Sequence, residues 1–462
     1  MLYSFKQSLS SFSAISRVFQ VQQSTKKGKY VLYWMQGAFR ADYNHSLEYA
    51  IYTSNTLNLP LIVLAVLDLS YPEANYRSFK FFLEGLADVK KDLEDRNIAL
   101  HIKKGHFKET LLNYAKKAHL VITDQAYLPY LNLVRRDIYH EIETTVFEVD
   151  TNVVVPVRHT SNKMEYGAYT IRPKIKKQIH KFLNDFTQYT YKGKKLESIY
   201  DIDPENISVI FKDQKTEYIP ECSLKGGSKE ALEALNKFLD STYHVFAEHR
   251  SNPSVDAESN LSPYLHFGHI SPIHIIKSAK EVDTKPENFE TLLEQLVIRR
   301  ELAHNFTYHV KNLENLLAFL PKWAAEGLKN HEKDKRDYTY SISELENAKT
   351  HDIYWNAAQE ELIGRGKIHN YMRMYWGKKV IEWSEDTAEA YKKLLYLNNK
   401  YALDGRDPNS YAGICWCFGL HDRPFKERKI FGKIRYMSEK GLRRKFYMRK
   451  YLERISNLKA HG

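Results

Sequence analysis

The stretch YVLYWMQGAFRADYNHSLEYAIYTSNTLNLPLIVLAVL, residues 30–67, decides the architecture of the first part of this chain. Its two ends, YVLYWMQ (30–36) and LIVLAVL (61–67), are short apolar runs rich in β-branched and aromatic residues, and they read as buried strands. Between them, residues 42–58 place apolar side chains at helical spacing. The same alternation continues outward. Helical patterns at 75–96, 108–117 and 129–143 are interleaved with strand-like runs at 99–102, 120–123 and 146–149. Such alternation predicts a Rossmann-like, doubly wound parallel sheet, whose ligands bind at the carboxyl ends of the strands. No G-x-G-x-x-G follows the first strand, so the usual dinucleotide fingerprint is missing.

The pattern changes twice more. Residues 153–157 are strand-like, but 158–227 are mostly polar, with scattered Pro and Gly, and read as an inter-domain linker wrapping the surface. From residue 228 to 462 the period is helical nearly throughout, which predicts an all-α second domain. Two domains also follow from the length of 462 residues, too long for one ordinary core. Residues 1–41 hold only Lys and Arg among charged residues. Residues 1–27 read as a flexible basic arm, with an organelle transit peptide as the alternative.

An apolar fraction of 43% excludes a disordered chain. The formal charge of +12, from 69 Lys and Arg against 57 acids, points to an anionic partner, nucleic acid first, although charge alone decides little. Three cysteines, two of them at the narrow spacing of Cys415 and Cys417, exclude a disulfide framework and a zinc knuckle and favour a reducing, intracellular home. No apolar run approaches a membrane span.

Four stretches of the helical half carry chemistry. In Glu258-Ser259-Asn260-Leu261-Ser262-Pro263, hydroxyl and amide residues precede a first-turn proline, which suits either simple capping or a phosphate. In EQLVIRRELAHN (294–305), Glu294 and Glu301 share a helix face and offer acceptors to a base, or form ordinary salt bridges. In HNYMRMYW (369–376), Asn370 and Arg373 lie one turn apart within an aromatic helix, and Trp376 and Trp383 lie two turns apart on one face. Residues 402–436, ALDGRDPNSYAGICWCFGLHDRPFKERKIFGKIRY, follow an acidic turn with cations interleaved with aromatics, a pattern for phosphate contact and base stacking. A basic tail with Arg443 and Arg444 continues that surface.

The order of YVLYWMQ, SNLSPYLHFG, RREL, HNYMRMYW, LDGRDPNSYAGICWCFG, HDRPF and ERKIFGKIRYM resembles a class II cyclobutane-pyrimidine-dimer photolyase of the photolyase/cryptochrome family, from about residue 28 to the end. The resemblance implies a carbon–carbon lyase active in light-dependent repair of UV-damaged DNA, with reduced anionic FAD donating an electron to a flipped-out dimer. It implies that Ser259, Asn260, Leu261 and Ser262 grip the FAD phosphates. Asn370 lies at the adenine, Arg373 pairs with Asp404 beside the isoalloxazine, and Asn398 faces flavin N5. Gly405 and Asp407 line the same loop. Trp355, Trp376 and Trp383 match the electron-transfer tryptophans. Glu294, with Glu301 as substitute, meets the 5′ base of the dimer. Tyr371, Met374 and Trp416 line the dimer pocket, and Arg423, Phe425 and Arg435 enter the gap left by the flipped bases.

Three positions depart from the family pattern. Phe425 stands where Trp is common, Phe246 where Tyr is expected near the flavin phosphates, and Ser251 where Asn commonly follows Arg250 on the substrate side. The resemblance allows a deazaflavin antenna pigment, and equally none. It implies a monomer with DNA as partner and no membrane, nuclear in a eukaryote and cytoplasmic in a prokaryote or virus. Two readings compete: a cryptochrome-like photoreceptor that keeps FAD, and a non-enzymatic nucleic-acid-binding protein. The dimer-pocket residues argue against the first. Arg373, Asp404 and Asn398 argue against the second.

Overall fold

A computed structural model describes residues 11–211 and 219–460. The sheet strands are β1 (Val18–Gln22), β2 (Tyr30–Trp34), β3 (Leu61–Leu67), β4 (Ala99–Lys104), β5 (Ala118–Asp124), β6 (Thr145–Val149) and β7 (Ile199–Tyr200), in the order β1-β6-β5-β2-β3-β4-β7. All neighbours are parallel except β1 against β6. Tyr33 of the central strand lies opposite Val63 on one side and Ile122 on the other. Burial on both faces is why β3 is apolar at every position. The crossover helices are α1 (His45–Leu57), α2 (Tyr76–Asp95), α3 (Phe107–Ala115) and α4 (Pro129–Glu141). Asn44 caps α1 by accepting from the Leu47 N–H, Asn58 ends it in the left-handed region, and Asn75 with Ser78 forms a capping box on α2.

Three sequence expectations differ from the structure. Residues 1–10 of the expected flexible arm lie outside the described residues, but residues 11–27 are not an arm. Phe12 is buried in the sheet's core, and β1 extends the sheet. The Arg17 guanidinium is fully buried, bonding Asp185 at 2.7 Å and the carbonyls of Asp150, Val153, Val154 and Phe182. Its charge staples the chain internally instead of facing solvent. Residues 153–157 form no strand, because the Val154 and Val155 N–H groups donate to the Glu301 carboxylate. The segment 158–227 contains helix α5 (Ala168–Lys176) and the edge strand β7, so it is more structured than its composition predicts. Its residues 212–218 lie outside the described residues.

The second half is helical: α6 (Ser228–Ser241), α7 (Pro272–Glu281), α8 (Pro286–Leu293), a π-helical segment (Glu294–Arg299), α9 (Arg300–His309), α10 (Ile353–Arg365), α11 (Asn370–Trp383), α12 (Thr387–Tyr401), α13 (Pro408–Cys417) and α14 (Met448–Ala460). Its largest apolar core gathers around α10, α11, α12 and α13. The fold is therefore a largely parallel α/β domain joined to an all-α one. Among the described residues, no helix is long and apolar enough to cross a membrane.

Candidate functional site

Helix α11 organises the site. On one flank its tryptophans meet Trp355 of α10. Trp355 stacks on Trp376 with centroids 6.3 Å apart and planes 7° apart, and meets Trp383 edge-on at 5.6 Å. Trp355 therefore lies between the two α11 tryptophans, a link that their spacing along one helix did not reveal. Trp355, Trp376 and Trp383 are 0%, 1% and 2% exposed. Trp355 Nε1 donates to the Trp376 carbonyl (3.0 Å), and Trp376 Nε1 donates to Gln359 Oε1 (2.9 Å), which fixes both ring orientations.

On the other flank, Arg373 Nη2 donates to both Asp404 oxygens at 2.8 and 3.1 Å. Burial works against the Arg373 cation, but Asp404 outweighs it and raises its pKa. Ser262 Oγ donates to the same carboxylate at 2.7 Å. Asn260, in the left-handed region at φ 57°, accepts on Oδ1 from Lys367 Nζ at 2.7 Å. Glu258 accepts from Lys367 Nζ and from the Asn370 N–H, both at 2.9 Å. Burial opposes its ionisation, yet Lys367 first and His369 second hold its pKa down at about 2. Ser259 and Leu261 complete this loop, with Leu261 buried in the core. Buried Asn398 spends its Nδ2 on Asn399 Oδ1 (3.0 Å) and Ser410 Oγ (2.5 Å), leaving Oδ1 without a donor among the described residues.

The 402–407 turn is built by close approach. A Cβ on Gly405 would sit 2.8 Å from the Ala402 carbonyl oxygen and 3.0 Å from that of Asn398. Asp407 has partners of its own. It caps α13 through the Asn409 N–H (2.8 Å) and accepts from His266 (3.2 Å). Burial opposes its ionisation, but His266 and the surrounding cations keep its pKa well below the usual range. It lines a cavity at the carboxyl ends of β2, β3 and β5, together with Gln36, Asp68, Tyr127 and His266. There the strand order switches, the crevice in which open α/β sheets bind ligands.

At the far end of α13, Trp416 lies between two cations, Lys378 Nζ at 5.3 Å and the Arg435 guanidinium at 5.4 Å from its ring. Arg435 also covers Phe425 at 4.4 Å, Arg423 approaches the same ring at 5.5 Å, and Asp422 grips Arg435 at 3.0 and 3.1 Å. Tyr371 meets Phe446 edge-on at 4.7 Å under Lys445, and Met374 packs near Gly413. Arg443 and Arg444 are exposed on the short helix Glu439–Lys445, outside this cluster.

Glu294 and Glu301 do not share an environment. Glu301 is buried, and burial lifts its pKa to about 8. Its contacts to Val154 and Val155 tie the helical half to the end of the sheet domain, so it cannot substitute for Glu294. Glu294, at the start of the π segment, is held by Arg172 and Arg299. Arg250 lies within electrostatic reach of both Arg299 and Glu294, and Ser251 follows it. Phe246 packs edge-on against Phe238 at 5.2 Å in the apolar core.

Sequence reasoning missed Lys367, Lys378, Gln359, His266 and Arg172. Each is a common residue type whose side-chain partners only tertiary packing reveals. Glu258 alone had a local signal, its place beside SNLS.

The DNA photolyase family model matches residues 31–190. The chain is 43% identical over 432 residues to the deoxyribodipyrimidine photo-lyase of Methanothermobacter thermautotrophicus, covering 94% of this chain and 96% of that one. It is 36% identical over 445 residues to the deoxyribodipyrimidine photo-lyase of Arabidopsis thaliana, covering 93% and 89%. Among solved structures, a class III photolyase from Agrobacterium tumefaciens superposes with a TM-score of 0.69 at 17% identity, covering 94% and 88%. An archaeal photolyase from Sulfolobus tokodaii with two FAD molecules gives 0.65 at 14% identity, covering 92% and 89%. At such identities the structural likeness is one of fold.

Proposed function

Because this chain belongs to the DNA photolyase family, we propose that it is a class II enzyme that repairs cyclobutane pyrimidine dimers in UV-damaged DNA with light, using FAD. One observation carries the reading. Helix α13 has the Asp404 turn at its start and the Trp416–Arg435–Phe425 cluster at its end, so one rigid element serves a flavin-type clamp and a DNA-type surface.

The residues on the α11 side fit the cofactor. Arg373 binds Asp404 through Nη2 alone, leaving Nε and Nη1 for a ligand. Lys367 Nζ, with one proton beyond its two partners, and the Asn260 amide nitrogen offer charge and hydrogen bonds to phosphates, while the Ser262 hydroxyl steadies Asp404. Bound and reduced, FAD supplies the photoexcited electron that opens the dimer's cyclobutane ring. Asn398 Oδ1 is the acceptor left to face an N–H of the flavin ring. Trp383, Trp355 and Trp376 form an unbroken aromatic path into the core, which suits resupply of electrons. Trp416, Tyr371 and Met374 shape an apolar slot for the two linked pyrimidines of a flipped-out dimer. Arg423, Phe425 and Arg435 fill the vacated stack and neutralise phosphates. The cavity at the strand switch point is assigned to an antenna pigment, a deazaflavin being one planar candidate.

The test is direct. Chain carrying reduced FAD, illuminated with near-UV or blue light, converts an oligonucleotide containing a thymine dimer to intact DNA. A flavin-loaded chain that leaves the dimer intact overturns repair in favour of a photoreceptor.

A further inference from the structure

Glu294 is gripped from outside its own helix. Arg172 of α5 donates Nε to one carboxylate oxygen at 3.1 Å and Nη2 to the other at 2.9 Å, a two-pronged fork. Arg299 adds Nε to Oε1 at 2.9 Å. The three side chains are 33%, 26% and 53% exposed for Arg172, Glu294 and Arg299, so the group opens to solvent. The segment that carries Arg172 also reaches the start of the HDRPF motif, where His421 Nδ1 donates to the Tyr166 carbonyl at 2.9 Å. The polar connection between the domains thus braces two elements of the proposed lesion site.

A carboxylate with both oxygens already accepting from guanidinium N–H groups is an ion, and an ion has no proton to donate. Its remaining lone pairs can take only a donor. We propose that Arg172 is a positioning residue that fixes Glu294 as a hydrogen-bond acceptor, so that the site prefers a base presenting a ring N–H, the imide of thymine, over one presenting a bare ring nitrogen, as cytosine does. The inference rests on the repair reading above. The groups facing Glu294 agree with it. Burial alone would raise its pKa, but Arg172 and Arg299 outweigh burial and lower it, and Arg250 adds further positive charge from a third element.

The experiment measures dark binding of the flavin-loaded chain to three duplexes: undamaged, carrying a thymine dimer, and carrying the same dimer with the 5′ thymine N3-methylated. Wild type should prefer the parent dimer over the methylated one by about tenfold, the discrimination of one good base contact. Arg172→Met should shrink that ratio to about threefold or less, because the Glu294 carboxylate, left with Arg299 alone, turns and protonates more readily. From neutral pH down to about pH 5, wild type should hold its ratio while Arg172→Met loses more of it. Arg172→Lys keeps the charge without the fork and should recover part of the ratio. It also carries the comparison should Arg172→Met fail to fold. The bulk of the methyl group is common to all proteins, so the change in ratio isolates the hydrogen bond. An unchanged ratio in the variants overturns the proposal. So does an equal loss on all three duplexes, which would make Arg172 a plain phosphate contact. A wild-type chain that does not distinguish damaged from undamaged duplex overturns the repair reading itself.

Discussion

The two flanks of helix α11 use the same side-chain type in opposite ways. On one flank Trp376 and Trp383 meet Trp355 with almost no exposure, oriented by neutral hydrogen bonds to a carbonyl and an amide. On the other, beyond Met374 and Gly377, Trp416 is held between Lys378 and Arg435, and Phe425 lies under Arg435. Packed aromatics in a dry core keep fixed separations, which suits electron hopping. Aromatics beside cations keep a face ready for bases and charge ready for phosphate. The surroundings of the ring, not the ring, separate the two roles.

The comparison breaks most easily at Trp355, the middle ring. Trp355→Ala should cost about 3–5 kcal/mol of stability, measured by denaturant unfolding. Trp355→Phe keeps the packing and tests the path alone. It should stop photoreduction of oxidised flavin as fully as Trp376→Phe does, while chemically reduced enzyme still repairs. Equal loss in both assays would make the dry flank merely structural.

On the wet flank, Asp404→Asn removes one partner of a largely buried pair and weakens the Ser262 contact. Hydrogen bonds to charged groups contribute about 1.5–3 kcal/mol, so FAD affinity should fall roughly ten- to a hundredfold in flavin titrations. Unfolding of the flavin-free chain should change less. Phe425→Ala removes a ring from the cation cluster and should weaken dark binding to dimer-containing duplex by about 1–3 kcal/mol, the usual worth of one base–aromatic stack. Photoreduction should be untouched. Slowed photoreduction in Phe425→Ala would mean that the two flanks are not separable.

How much of this was legible beforehand depended on where each contact is made. The parallel sheet was readable because strands such as β3 are buried on both faces and their apolar runs are continuous. The Arg373–Asp404 pair was readable only through family resemblance, since its partners lie 31 positions apart. The central place of Trp355 was not readable, because spacing along α11 reports only what α11 itself presents. Residues 11–27 misled for a related reason. Their Lys and Arg suggest a solvated arm, but Arg17 finds four carbonyls and a carboxylate that only the folded chain brings together. Glu294 and Glu301, seven apart on a helix face, look alike in sequence. One is clamped by guanidinium groups and the other by backbone N–H groups.

The smallest effect concerns Lys378, which lies on α11 itself and joins the flanks. Its side chain is buried behind Trp416, and Nζ donates to the Cys417 carbonyl at 2.6 Å. Burial lowers its pKa from 10.5 to about 8, with Cys417 and Asp422 opposing that shift. The unfolded chain therefore binds more protons than the native one between about pH 8 and the ordinary lysine range, and stability from this group rises with pH across that window. The stability of wild type relative to Lys378→Met should accordingly increase from pH 7 to about pH 10, by an amount near 1 kcal/mol or less once screening and relaxation are allowed for. Over the same range the cation behind Trp416 is discharged, so dark affinity for damaged duplex should drift down in wild type and stay flatter in Lys378→Met. A pH-independent difference between the two proteins would mean that Lys378 stays charged in the core. Trp416 would then keep a permanent cation, and the contrast between the wet and dry flanks of α11 would persist at every pH.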